Sequence, residues 1–521
     1  MATASTPRTP LSRDSASRPS TVPRSRPAAT ALLLASAALT SALAVGCDGG
    51  GSDTGAGGGT TTGTTTTTTT SAGGPTLSLT LRRGPASEIV AAVRATDATG
   101  AALTGATITL TAQGGTASAV TEIGGGDYEG TVTPETLDRE VDIEAATGGA
   151  KVTRTALVFS VIGDGWEQAE VLEGYVNTKG WEDGASVSSD GEWLLVGSYV
   201  PTDVLTCNAI GGGDPADPAC NVLTGPITAP ERPDMLGAER VVSPTKIVNA
   251  CPNLNFPPGG GELDFAIPLV AAYGFRRQAD GSYREPFVIG FDANGCLGPY
   301  GISFAGPVSG ESTTVLFAND DPLTSRPGES STDLYWAPLE LGKKNILAKY
   351  SFDGSKVTAT DVLTVPLPLP DLAGTQGNVN FSAGRLWWDD ESKEDVDREL
   401  YMAEVTGELP GATIAPTQIV GASVPGVENI QPVFDGSTLV WRASPGMLSA
   451  ELTAGADPSE AASWSAPETV IGALPMPDSL FVAVGEPTVA HIDGETWLYF
   501  VYIKKTEAGY DANVARIRRR E

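Results

Sequence analysis

The nine residues 166–174, WEQAEVLEG, decide how most of this chain folds, because they read as a strand whose sheet lies elsewhere in the sequence. Their form, a polar pair, an apolar residue and then V-x-G, recurs in REPFVIG (284–290), IAPTQIVG (414–421) and SAPETVIG (465–472), and more weakly in TATDVLTV (358–365). An alternating strand that ends near glycine precedes four of these copies: LVAAYGFRRQADGS (269–282), NILAKYSFDGS (345–355), RELYMAEVTG (398–407) and MLSAELTAG (447–455). A fifth such strand, YDANVARIRR (510–519), has nothing after it, and the strand at Trp166 has nothing before it. Asp-Gly in the first two copies supplies the positive φ angles of a tight hairpin.

Before each of these lies a pair of strands joined by a glycine turn: DGASVSSDGEWLLVGSY (183–199), GISFAGPVSGESTTVLFAND (301–320), GNVNFSAGRLWWDD (377–390), NIQPVFDGSTLVWRA (429–443) and EPTVAHIDGETWLYFVY (486–502). A four-strand meander repeated in this way is the pattern of a β-propeller. Five copies predict a five-bladed propeller over residues 162–521, closed when the N-terminal strand near Trp166 completes the last blade beside Arg518. Closure of that kind leaves no open sheet edge. Blade one carries an insertion at about 201–261, with a further strand pattern in ERVVSPTKIVNA, and blade two a shorter one at 321–344. The copies SSDGEWLLVGS and DGETWLYFVY resemble blades of the TolB type, and WSAPETVIG is similar to blades of sialidase-like propellers.

Residues 75–161 read as a β-sandwich. LSLTLRR, EIVAAVRATD, ATITLTAQ, DYEGTVTP, VDIEAAT and KVTRTALVF are short, rich in Val, Ile, Thr and Leu, and bounded by turn residues. The run ATDATGAALTGATITLTA followed by GGGDYEGTVTP resembles Ig-like modules of invasin-type surface proteins, in which a pair like Asp127-Tyr128 precedes an outgoing strand. That resemblance implies a spacer. The fold class expected for the whole is therefore all-β: an Ig-like sandwich followed by the propeller.

Upstream, residues 1–46 have the order of an export signal: five arginines, then AATALLLASAALTSALAVG, then Cys47. The tail Leu43-Ala44-Val45-Gly46-Cys47 resembles the bacterial lipobox, which implies that Cys47 is lipidated and anchors the chain to a membrane. An uncleaved span is the competing reading, but the segment's Ala, Ser and Thr content makes it a weak one. Residues 47–74 are almost all Gly and Thr, too poor in apolar side chains to offset the entropy of ordering, and predict a flexible tether. A location in the bacterial cell envelope follows, at the periplasmic face or the cell surface.

The chain carries a net charge of −30. The first 46 residues hold five arginines and one aspartate, so the rest carries −34. Nucleic acid and anionic lipid surfaces would be repelled. Cys207, Cys220, Cys251 and Cys296 are an even set in an exported chain and are candidate disulfides. Three pairings are open, of which Cys207–Cys220 with Cys251–Cys296 is the most local. No CxxC spacing exists and His491 is the sole histidine, so no metal site and no cofactor are expected.

Inner strands of a propeller converge on its axis. Five-bladed propellers include glycosidases of arabinans, xylans and fructans, and a chain of that kind would carry an acid at the inner-strand start in each of the first three blades. Blade one offers Glu182 and Asp183, blade two Pro299 and Tyr300, and blade three Gln376 and Asn378, so the pattern breaks at two of three positions. Blades four and five instead present Glu428 and Glu486, which with Asp183 form the candidate channel-mouth binding residues. His491 reads as a packed core residue. The acidic run 387–399 reads as a solvated loop, with at most one of Trp387 and Trp388 in the core because neighbours on a strand face opposite ways. The function expected is a monomeric, non-catalytic binding module for a protein or glycan. The alternative is a divergent glycosidase, whose two carboxylates would face each other about 5–10 Å apart.

Overall fold

The computed structural model describes residues 74–177, 181–200, 271–289, 376–390, 398–407, 413–443, 446–472, 479–506 and 509–520, together with isolated strands between 223 and 366. The export segment, the tether and all five cysteines, Cys47 included, lie outside the described residues, as do Pro299 and Tyr300. The fold is all-β: no α-helix occurs among the described residues, and every sheet is open, with two edges.

The N-terminal unit is two packed sheets. One orders strands Thr76–Arg83, Ile89–Thr96, Asp127–Pro134 and Gly115–Ala117, with Thr121–Gly124 also on Asp127–Pro134. The other begins with Thr109–Gln113, Arg139–Thr147 and Ala150–Val158. Strict alternation explains the core: Leu77, Leu79 and Leu81 point inward from the first strand, Ile89, Ala91 and Val93 from the second, and Val141, Ile143 and Ala145 from the facing sheet. Each of the Leu, Ile and Val side chains contributes about 1.5–3 kcal/mol when fully buried. Tyr128, flagged in the sequence beside Asp127, lies in this core, where its hydroxyl accepts from the Ala106 N–H and donates to the Leu103 carbonyl, both at 2.8 Å.

The rest is a series of four-stranded antiparallel meanders. The first comprises Trp181–Val187, Trp193–Val200, Ala271–Arg277 and Tyr283–Ile289; the second Ile302–Phe304, Ser312–Phe317, Ile346–Phe352 and Val357–Pro366. The third has Gln376–Ser382, Arg385–Asp390 and Leu400–Thr406, with Thr413–Ile414 and Gln418–Ile419 both paired to the last of these. The fourth comprises Asn429–Phe434, Thr438–Ala443, Gly446–Glu451 and Glu468–Ile471. The fifth contributes Phe481–Ile492, Glu495–Thr506 and Gly509–Arg518, turned at Asp493-Gly494 with φ of 55° and 85°. Within the first meander's insertion, Leu223–Pro226, Glu239–Ser243, Lys246–Val248 and Glu262–Leu263 form a small sheet of their own.

The fourth strand of the fifth meander comes from far upstream. Ala169–Val171 pairs with Gly509–Arg518 through Val171↔Ala515 and Glu170↔Arg516, and Trp166 bridges Arg519. The same short strand pairs on its other side with Ala150–Val158 of the sandwich, so the two units share one seven-stranded sheet. Neighbouring residues stitch it further. Ile162 bridges Ile471 of the fourth meander, and Gly174 bridges Tyr283 of the first, where the Tyr175 N–H donates to the Tyr283 carbonyl at 2.8 Å. The core is continuous across the junction: Leu157, Phe159 and Trp166 pack with Phe481, Phe500 and Ile517, and the rings of Phe159 and Phe481 lie 4.9 Å apart.

The first strands of the meanders lie side by side. Trp181–Val187 touches Ile302–Phe304 and Phe481–Ile492; Gln376–Ser382 touches Ile302–Phe304 and Asn429–Phe434; and Asn429–Phe434 touches Phe481–Ile492. Such packing covers both faces of a meander, and this corrects two expectations. Trp387 and Trp388 are both fully buried, the first against Phe434 of the next meander and the second stacked on Tyr401. His491 is exposed rather than core, because it precedes the Asp493-Gly494 turn and alternates with buried Ala490 and Ile492.

Candidate functional site: an acid–arginine cluster at the first strands

Asp183, Glu428 and Glu486 come together. The charges of all three act on the guanidinium of Arg442, itself 2% exposed, as does that of Arg398. Glu428 and Arg398, both buried, form an ion pair at 3.7 Å. The Gly184 N–H, next in the chain to Asp183, donates to the Glu486 carboxyl. Burial first, and the Asp183 charge second, push Glu486 well above the usual carboxylate range, against the pull of the Gly184 N–H and Arg442. Burial likewise draws Arg442 below its ordinary value, opposed by Glu428, Glu486 and Asp183. A guanidinium starts so far above neutrality that it keeps its charge.

The backbone explains why these side chains meet. Gly184, Gln431 and Glu486 occupy matching places in the first, fourth and fifth meanders, and all have positive φ, at 69°, 54° and 51°. At the latter two the strand ladders shift register, as at a β-bulge, which frees an N–H from the sheet. Side chains from the adjoining meander take up those donors. The Gly184 N–H meets Glu486, the Glu486 N–H meets Gln431 Oε1 at 2.8 Å, and the Gln431 N–H meets Asp389 Oδ2 at 2.9 Å. The chain of bonds thus runs from first to fifth to fourth to third meander. Glycine at 485 leaves room for this arrangement, since a Cβ would fall 2.6 Å from Gln431 Oε1 and 3.0 Å from Arg442 Cδ and press on both side chains.

Sequence reasoning found the three carboxylates but missed Arg398, Arg442, Gln431 and Asp389. A signal for Gln431 was present: Gln431-Pro432 and Glu486-Pro487 stand at the same point in two copies. Of the other positions considered, Glu182 faces away from the cluster, as its neighbour Asp183 requires, toward a second group of charges. There Lys504 Nζ lies 2.7 Å from Glu140 of the sandwich and 3.5 Å from Asp511, and the Tyr502 hydroxyl donates to Glu140. Burial, with Glu182 alongside, pushes Asp511 up to about 7 despite the pull of Lys504. Among the described residues no set of His, Cys, Asp and Glu is arranged to hold a metal ion.

Chemically, the cluster brings three carboxyls and two guanidiniums to one place, where the Glu486 carboxyl accepts from the Gly184 N–H and Glu428 pairs with Arg398.

No protein-family model matches the chain, and no curated protein matches it either. Among solved structures, the chain is similar to an α-L-arabinofuranosidase from Lactobacillus brevis at 12% identity, with a TM-score of 0.29 over 47% of this chain and 82% of that one. It is similar to the NanB sialidase from Streptococcus pneumoniae at 9% identity, with a TM-score of 0.28 over 86% and 69% of the two chains. The adhesin InvE of Yersinia pseudotuberculosis matches at 14% identity, with a TM-score of 0.15 over 61% and 68%. Superpositions this loose carry no functional weight.

Proposed function

We propose that this is a lipid-anchored envelope protein whose meanders form a five-bladed β-propeller acting as a non-catalytic binding module for a protein or glycan. The propeller reading is supported by the order of contacts among the first strands, in which each meander touches two others and the fifth adjoins the first. It is supported also by Ala169–Val171 completing the last sheet. The Ig-like sandwich, in this reading, holds the ring away from an anchor at Cys47.

The observation that carries the non-catalytic reading is the fate of the axial acids. Glu428 is paired with Arg398, Glu486 accepts from the Gly184 N–H, and the charge of Arg442 acts on all three acids. A glycosidase keeps one carboxyl free to protonate a leaving oxygen and another free to attack or activate water.

The test is a glycan-array screen with the chain from Thr76 onward, run beside hydrolysis assays on arabinan, xylan and fructan. Retention of a glycan, or silence on the array, with no sugar released fits a binding module, and silence directs the search to a protein partner. Sugar release that disappears in E486Q would overturn the proposal. For the anchor, Cys47→Ser should move the full-length chain from the membrane to the soluble fraction; continued membrane retention would remove the lipid-anchor reading.

A further inference from the structure

We propose that the free end of the sandwich, led by Ile123, docks on the lipid bilayer, so that the protein stands end-on with its meanders held outward. Docking here rests on the Cys47 anchor proposed above and gives that anchor an orientation and a contact.

The sandwich has two unlike ends. At one, Arg83 is fastened to Gly163 and Glu167, and the Asp138 carbonyl accepts from the Leu480 N–H at 3.2 Å, so the meanders adjoin it. At the other the chain enters: Thr76 pairs with Thr96, and a Cβ on Gly148 would lie 3.4 Å from the Pro75 ring. The turns at 97–101 and 124–126 belong to this end too, since Arg94 pairs with Asp127 across two strands and the Ala95 N–H donates to the Gly126 carbonyl at 2.9 Å. Ile123, just before the second of these turns, is 63% exposed, the most exposed of the large apolar side chains among the described residues. A lone exposed isoleucine is ordinary on a protein surface. Charge and the entry of the chain make this one different.

Residues after 46 carry −34, so anionic headgroups push this chain back wherever uncompensated charge comes within about 8 Å of them. The orientation with least such charge at the surface is therefore favoured. At the free end Arg94 is paired with Asp127 at 2.8 Å and Lys151 with Glu144 at 3.1 Å. Glu122 accepts from the Gly105 N–H, and Asp97 from the Thr99 and Ala101 N–H groups. Around them Ala98, Gly100, Ala102, Gly125 and Gly149 are exposed and uncharged. The lipid is also close by. As a Gly-rich coil the 27 residues 47–73 have a root-mean-square reach of about 30 Å, and they join the fold at this end. The other end lies farther off by the length of strand Thr76–Arg83, about 26 Å. A short tether raises the local concentration of the tip at the bilayer so far that one apolar side chain is contact enough.

All nine tryptophans lie beyond residue 165, so a tryptophan placed in the sandwich reports on that unit alone. The test puts the full-length, lipidated chain into vesicles of phosphatidylethanolamine and phosphatidylglycerol, with or without bromine on the acyl chains. In I123W the added emission should fall about twofold with bromine, as for a side chain sunk about 5–10 Å into the headgroup boundary. L137W, at the end beside the meanders, should stay unquenched. In the unsubstituted chain, amide exchange at 123–125 and 148–149 should be slower on vesicles than in the C47S chain free in solution, which carries the comparison if a tryptophan variant does not fold. A chain that sediments with the vesicles yet shows neither quenching nor slowed exchange would overturn the docking and leave the anchor standing. A chain that does not sediment removes the anchor, and the docking with it. Quenching of L137W in place of I123W, or unquenched I123W emission that shifts with protein concentration and so assigns the tip to a second copy, would also overturn it.

Discussion

Asp511 shows how a single buried acid sets a pH response. It is 8% exposed, and its carboxyl holds a proton up to about 7. Because that value is raised above the ordinary 3.8, the stability it confers is complete below about 3.8 and drains away as pH rises toward and through 7. Asp511→Asn, which mimics the protonated form, should therefore stabilise the protein at pH 8 by on the order of 1–3 kcal/mol and do little at pH 4. Urea unfolding at the two pH values checks this, and equal effects at both would refute it. Arg442 makes the opposite case. Arg442→Met strips the counter-charge from Glu428, Glu486 and Asp183 and leaves buried acids facing one another, a loss of about 3–5 kcal/mol. Thermal unfolding at neutral pH measures it.

Among the elements, the segment from Val161 to Tyr175 has an effect out of proportion to its length. It touches the last strands of the fourth, fifth and first meanders in turn. Gly174 is the tightest point, with φ of 101° and no room for a Cβ beside the Tyr283 backbone. Gly174→Ala should cost at least about 2 kcal/mol and expose the Tyr283 amide, which now donates to the Glu173 carbonyl, to hydrogen exchange. Unchanged protection at Tyr283 would refute this. The strands themselves were readable in the sequence, since period-two alternation and Asp-Gly turns are local signals; the displaced strand at Trp166 was readable because its form matches REPFVIG and SAPETVIG. What escaped was set by contacts distant in sequence. Trp387 is buried against Phe434 of the next meander, His491 is exposed on the strand face opposite buried Ala490 and Ile492, and Arg442 matters through partners on three meanders. For the candidate site, composition could pick out the acids, but not the arginines that neutralise them.

For the whole molecule, the sandwich is not a bead on a string. It shares a sheet and a core with the fifth meander, and polar ties reinforce both: Arg516 grips Glu170 at 2.6 and 2.8 Å, Arg83 donates to the Gly163 carbonyl at 2.9 Å, and Lys504 reaches Glu140. The sandwich and the fifth meander should therefore melt as one unit. Calorimetry of the full chain should show them in a single transition, and the fragment 74–160 alone should melt at a lower temperature, because Leu157 and Phe159 lose their cover. Two separate transitions, with the fragment as stable alone as in the chain, would contradict a shared core.

The direction of strand Thr76–Arg83 has a mechanical consequence. Its last residue, Arg83, is fastened to Gly163 and Glu167 beside the meanders, while its first residue receives any pull from upstream. All eight rungs to Ile89–Thr96 lie across that line of tension, so a tug from the N-terminal side loads them together in shear instead of peeling them one at a time. A chain built this way withstands drag at its leading end far better than one whose first strand could unzip.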